Sequence, residues 1–174
     1  MIHGLFLVPL LVLAIGLVYF IRKWPKGGVH ATFSQHAAST VQATRYYIAL
    51  FLVCLPPIVV WFVVWLVPTL QLPIFSVVAM IVAAAAQIIA TSVPERAPNI
   101  ELHRAITAVS LVAIIITTAF LWLSTHSNMV AGCLLMMLLI VAYASTLRDR
   151  AKYPMLLQVG FYASFFAALG SFIF

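Results

Sequence analysis

The chain has 174 residues, of which 66% are hydrophobic and 7% are charged. An ordinary soluble domain has roughly 25% charged residues, so a water-solvated surface cannot be built from this composition. The formal net charge of +6 has the sign of a nucleic-acid binder. The basic residues, however, sit only in connections between apolar runs, which argues against nucleic acid.

Six apolar runs occupy residues 2–21, 46–67, 73–93, 105–124, 129–147 and 154–174. Each is near the roughly 20 helical residues needed to cross a hydrocarbon core of about 30 Å. No segment shows the alternating polarity of transmembrane strands. The expected fold is all-α: a polytopic six-transmembrane-helix bundle forming one domain over residues 1–174.

The first run lacks a basic leading region and a small-residue cleavage site, and Arg22 and Lys23 follow it directly. It reads as a retained span rather than a signal peptide. The first connection, "RKWPKGGVHATFSQHAASTVQATR", is the longest. Pro25, Gly27 and Gly28 stop the preceding helix, and Thr32 with Gln35 fits a capping box. A helix starting there should lie at the headgroup level. Trp24, Tyr46 and Tyr47 are placed as interfacial anchors.

Pro56 and Pro57 stand in the second run and should kink it, since both lack an amide donor. Pro68 and Pro73 bracket the tight turn that follows. Ala79, Ala83, Ala86 and Ala90 in the third run form a small-residue stripe, as do Gly160, Ser164, Ala168 and Ser171 in the sixth. Such stripes allow close helix approach in lipid. They suit packing inside the bundle, with a homo-oligomer face as the alternative. Cys54 and Cys133 both fall within spans and read as small apolar packers. Neither a disulfide framework nor a metal-type cysteine spacing is present.

Lys and Arg occur at 22, 23, 26, 45, 96, 104, 148, 150 and 152, all in the first, third and fifth connections. The second connection, "PTLQLP", and the fourth, "STHSN", have none. The positive-inside rule then places 22–45, 94–104 and 148–153 in the cytoplasm, with both termini outside. A bacterial plasma (inner) membrane is the expected location, with anionic lipid headgroups near the basic connections.

The stretch "VPERAPNIELHRAITAVS" is the most polar part of the second half. Asn99 suits the N-cap of the fourth span. Glu101 falls in the first turn, where the dipole favours an acid, and can pair with Arg104 three residues on. From His103, the residues Thr107, Ser110, Thr117 and Ser124 follow at offsets of 4, 7, 14 and 21, a polar stripe that should face the bundle interior. Gln87 and Thr91 in the third span, with Gln158 and Tyr162 in the sixth, lie at similar depth. These groups could line a cavity open to the cytoplasm, covered by Ser34, Gln35 and His36. The candidate ligand-binding set is His36, Gln87, His103, Arg104, Thr107 and Gln158. The plain alternative is a set of interhelical hydrogen bonds, worth about 0.6 kcal/mol each.

Catalytic patterns are missing from the sequence. Glu95 and Glu101 lie on a loop and a helix start, and Asp149 sits between Arg148 and Arg150. No serine or cysteine has a nucleophile elbow, and no metal signature occurs. His30, His36 and His103 share one side and could in principle bind a metal, but a loop histidine is usually just solvated. Haem is not expected, because His3, His103 and His126 stand at span ends. No charge sits in mid-membrane to mark a proton relay. No metal or other cofactor is expected, and the catalytic residues, if any, are not legible.

"TFSQHAAS" and "VPERAPNIELHRAITAVS" resemble stretches of a group of small bacterial six-span proteins. The group is the integral-membrane family catalogued as domain of unknown function 998, distantly similar to the eukaryotic DRAM-like membrane proteins. The likeness covers the whole six-span plan. It carries over Ser34, His36, Pro94 and His103 as positions of interest, and implies architecture rather than chemistry.

Three function classes follow. The first is a non-catalytic membrane protein that binds lipid or a partner, as a homo-oligomer or within a membrane complex. The second is a small transporter or channel-like bundle. The third is a lipid-modifying enzyme using His103. The first leads, because no catalytic constellation and no charged pathway are visible.

Overall fold

A computed structural model of the chain describes residues 2–93, 95–96, 98–146 and 153–173. Pro94 and the basic residues at 148, 150 and 152 fall outside the described residues.

Helix α1 spans Gly4–Lys23 and has Arg22 and Lys23 in its last turn, where cations favour the dipole. Trp24 N–H closes it on Phe20 O. Gly27 and Gly28 then take φ of 75° and 55°, the left-handed region that glycine enters without strain. A 3-10 turn over Gly28–His30 leads into the short α2, Phe33–Ala37. Thr32 and Gln35 form the capping box expected from their spacing.

Helix α3, Val41–Trp61, starts on Thr40, whose hydroxyl accepts from Ala43 N–H. Pro56 and Pro57 lie inside this continuous α stretch. The departure from α geometry comes after them, as one π turn over Phe62–Leu66. Such a turn absorbs disturbed backbone hydrogen bonding by adding a residue. The short α4, Val67–Leu70, ends at Gln71 in the left-handed conformation. Helices α5 (Ile74–Ser92), α6 (Ile100–Thr125), α7 (Asn128–Thr146) and α8 (Pro154–Gly170) complete the chain. Asn99 takes the N-cap position of α6, but its side chain makes no capping bond, because its backbone is not extended there.

The described residues are helical apart from their connections. Five helices are long and apolar enough to cross a membrane: Gly4–Lys23, Val41–Leu70, Ile74–Ser92, Ile100–Thr125 and Asn128–Thr146. Helix α8 is apolar but has 17 residues. The outward surface is also apolar, with Val8, Val53, Phe75, Leu135 and Leu156 each more than half exposed. Apolar surface on this scale would be a liability in water and is ordinary in lipid.

Helix α1 packs on α3, α3 on α5, α5 on α6, α6 on α7, and α7 on α8. The helices therefore form a row that curls round until α8 comes back near α1, although α1 and α8 are not a closely packed pair. Ala79, Ala83, Ala86 and Ala90 are all buried. Close approach at α1–α3 depends on Gly16, where a Cβ would come within 2.5 Å of a Leu50 methyl. Gly160 plays the milder counterpart on α8, where a Cβ would meet Ile140 at 3.2 Å.

Two apolar clusters fill the interior. One gathers Phe6, Ile58, Trp61, Phe62, Leu121 and Phe165. The other gathers Leu13, Phe20, Phe33, Tyr47, Phe51 and Met155.

Candidate functional site

The polar groups collect at the end of the bundle where α1, α5 and α7 finish and α3, α6 and α8 begin. Thr32 Oγ1 accepts from Gln35 N–H at 3.1 Å, and Gln35 Oε1 accepts from Thr32 N–H at 3.2 Å. The same two side chains hold Glu95. Thr32 Oγ1–H donates to Glu95 Oε2 at 2.5 Å, and Gln35 Nε2 donates to Glu95 Oε1 at 3.2 Å. Phe33 N–H, one of the orphan donors that open a helix, donates to Gln158 Oε1 at 3.0 Å. Helix α2 is thus tied both to the α5–α6 connection and to the start of α8. The segments "TFSQHAAS" and "VPERAPNIELHRAITAVS" meet here through side chains.

His36 is fully buried and its ring staples the first connection. Lys26 N–H donates to Nδ1 at 3.0 Å, and Nε2 lies 3.1 Å from Gly28 O. These partners assign the proton to Nε2. Trp24 O, 2.9 Å from Nδ1, is the acceptor that nitrogen would meet if it were protonated. His103 is also buried, and donates from Nδ1 to Val93 O at 2.7 Å. That bond satisfies a carbonyl left over at the end of α5. Its Nε2 lies 3.5 Å from Thr107 Oγ1. Arg104 pairs with Glu101 at 3.1 Å on the exposed side of α6.

Beneath this cover lies a cavity of about 580 Å³, walled by α1, α3, α5, α6 and α8. Its sides are apolar, and Leu13, Phe51, Met80, Ile114 and Phe165 represent them. Ser34, Tyr47, Gln87, Thr107, Gln158 and Tyr162 supply its polar groups. Among the described residues, no charged side chain and no histidine lines it.

Two glutamines give this end a defined polarity. Gln87 is 8% exposed, and its Oε1 accepts from Tyr162 Oη at 2.7 Å and from Ser110 Oγ at 3.3 Å. Ser110 Oγ is also 3.0 Å from Ala83 O. Gln158 Oε1 is occupied by Phe33 N–H. Both amide oxygens are engaged within the protein, while both amide nitrogens stand on the cavity wall without a protein partner among the described residues.

The cavity opens sideways. Ala14 and Val18 on α1, and Val159, Ala163 and Ala167 on α8, line it and reach the outer surface as well. They form the two lips of a slit between the first and last helices. At its far end the slit is closed where Phe6 and Phe166 meet, with ring centroids 6.4 Å apart. One helical turn beyond Leu10 and Ile58, which line the cavity, stand the buried Phe6, Trp61 and Phe62.

Of the candidate residues legible in the sequence, Gln87, Thr107 and Gln158 are on the cavity wall, whereas His36, His103 and Arg104 are not. His36 and His103 hold backbone carbonyls or amides of the cover. Glu95 reads in the sequence as a plain loop acid, yet it is the junction of that cover. Tyr47 has the position of an interfacial anchor, yet it is buried on the cavity wall.

No family model, no curated protein and no solved structure matches this chain.

Proposed function

We propose that this chain is a six-span protein of a bacterial plasma membrane that holds one lipid-like molecule inside its bundle. One observation carries the reading: an apolar cavity, capped by hydrogen-bonding groups at one end and open along its side to the apolar exterior. The wall runs from Leu10 to Ile21 on α1, which is about 16 Å at 1.5 Å per residue. That is close to half of a hydrocarbon core of about 30 Å, the depth of one leaflet. The volume falls in the range of about 300–1,000 Å³ typical of sites for one small ligand.

Helix α8 serves as the sixth crossing, since 17 residues is the short end of the spanning range. Arg22, Lys23, Lys26, Arg45, Arg96 and Arg104 attach at the polar end of the bundle, which supports a cytoplasmic position for that end and external termini. The cavity would then serve the inner leaflet. A transporter would need a second opening, and Phe6, Trp61 and Phe62 occupy that direction. An enzyme based on His103 would need its ring on the cavity wall, and the ring is instead bonded to Val93 O.

Native mass spectrometry of the full chain, extracted with its lipids, tests the proposal. One retained lipid per chain is expected, lost when Ala84 is replaced by Trp to fill the cavity. A wild-type chain that retains none overturns the reading.

A further inference from the structure

We infer that the cavity selects a single-chain amphiphile whose head is uncharged and accepts hydrogen bonds, an ester or amide carbonyl rather than a carboxylate or phosphate. This deepens the lipid-binding reading and rests on it.

The head end is a donor site by construction. Gln87 and Gln158 each have the amide oxygen occupied, by Tyr162 and Ser110 in one case and by Phe33 N–H in the other. An amide nitrogen has two N–H donors and no acceptor. With their oxygens held, the two side chains keep their donors turned to the cavity. Gln87 is more than nine-tenths buried and lines the cavity, so its amide donors face the cavity's contents rather than bulk solvent. A buried donor without an acceptor is costly, and a ligand carbonyl at Gln87 relieves that cost.

The electrostatics of this end weigh against a charge on the head. An ion taken from water into an apolar site needs an opposite charge to offset its lost hydration, and no Lys, Arg or His among the described residues lines the wall. Two of the nearby cations are engaged outside it. Lys23 Nζ donates to Tyr19 Oη at 2.9 Å and lies over the Trp24 ring at 5.0 Å, and Arg104 is paired with Glu101. The carboxylate of the cover, Glu95, is held by Thr32 and Gln35 and offers an anionic head no counter-charge. A cationic head fares no better, since no carboxylate among the described residues lines the wall. Below the amides the wall is hydrocarbon, with the depth of one leaflet and the volume of one ligand.

The test is a competition on the full chain in nanodiscs, read by native mass spectrometry. The probes are a monoacylglycerol, the fatty acid of the same chain at about pH 8, where a carboxyl in water is ionised, and the matching alkane. The monoacylglycerol should be retained about tenfold over each of the others, the worth of one or two hydrogen bonds. Gln87→Leu should lower monoacylglycerol retention to the alkane level and leave alkane retention unchanged. Equal retention of monoacylglycerol and alkane by the wild type, or a preference for the fatty acid, overturns the inference while leaving the lipid-binding reading standing. Retention of none of the three removes both. The wild-type comparison needs no variant, so a Gln87→Leu chain that fails to fold does not blunt it.

Discussion

Thr32 donates a 2.5 Å hydrogen bond to Glu95, a residue 63 positions away in sequence. This bond and its neighbour from Gln35 hold the cover of the cavity to the α5–α6 connection. Glu95→Ala should destabilise the fold by about 1–2 kcal/mol, the scale for hydrogen bonds to a partly exposed charged group. Thr32→Val should cost a similar amount, since it also removes the N-cap. The two changes share one interaction, so the double variant should lose less than the sum of the single losses. Thermal unfolding of the four proteins in detergent checks this, and strict additivity would count against the clamp.

His36 holds Lys26 N–H and faces Gly28 O from a fully buried position. Replacing it with Leu keeps the bulk and removes both bonds. The connection between Trp24 and Ala31 should then open more often, because a segment held by fewer buried hydrogen bonds unfolds locally at lower cost. Limited trypsin digestion should cut after Lys26 several-fold faster in His36→Leu, with cleavage elsewhere unchanged. An unchanged rate at Lys26 would mean that the ring does not secure this loop.

The lips of the slit offer a kinetic test. Ala163→Trp places a large side chain on an exposed rim position of α8, where it narrows the entrance without replacing a buried group. Exchange of a fluorescent lipid into the cavity should slow about tenfold, equivalent to a barrier about 1.4 kcal/mol higher. Leu135→Trp, on the 58% exposed outer face of α7, is the control and should leave the rate alone. Equal slowing by both substitutions would rule out the slit as the route.

Of the glycines, Gly16 has the least room for a side chain. Gly16→Ile should cost about 1–3 kcal/mol, the usual range for overpacking, because even a Cβ meets the Leu50 methyl at 2.5 Å. Gly132 has nothing within 4 Å of its Cβ position and stands inside α7. Gly132→Ala should raise stability by about 0.5–1 kcal/mol through helix propensity. Opposite signs in the two melting shifts are the expected result.

Local chemistry is readable from the sequence and distant pairing is not. The Thr32–Gln35 capping box is a three-residue pattern, and it forms as spaced. The inward stripe of α6 is readable for two heptads: His103, Ser110 and Thr117 are buried, whereas Ser124 is exposed. A helix of 3.6 residues per turn drifts about 20° per heptad, so three heptads carry Ser124 roughly 60° off the buried face, and Thr118 and Leu121 take it over. Glu95 gives no sign of its partners, because a bond across 63 residues has no periodicity. The Pro56–Pro57 pair announces a disturbance, but its form as a π turn at Phe62–Leu66 depends on how neighbouring helices receive the chain. The glutamines are visible as polar residues at one depth. Which end of each amide faces inward becomes clear only once Tyr162 and Phe33 N–H are in place.

The ring contact of Phe6 with Phe166 has a mechanical consequence. Every other neighbour in the curled row is joined by a packed seam, whereas α1 and α8 are pinned at one tip by this ring contact and bridged at the other by Phe33 N–H on Gln158 and His30 stacked on Tyr153. A slit held at both ends widens by bowing at its middle, near Ala14 and Ala163, rather than by hinging open at one end.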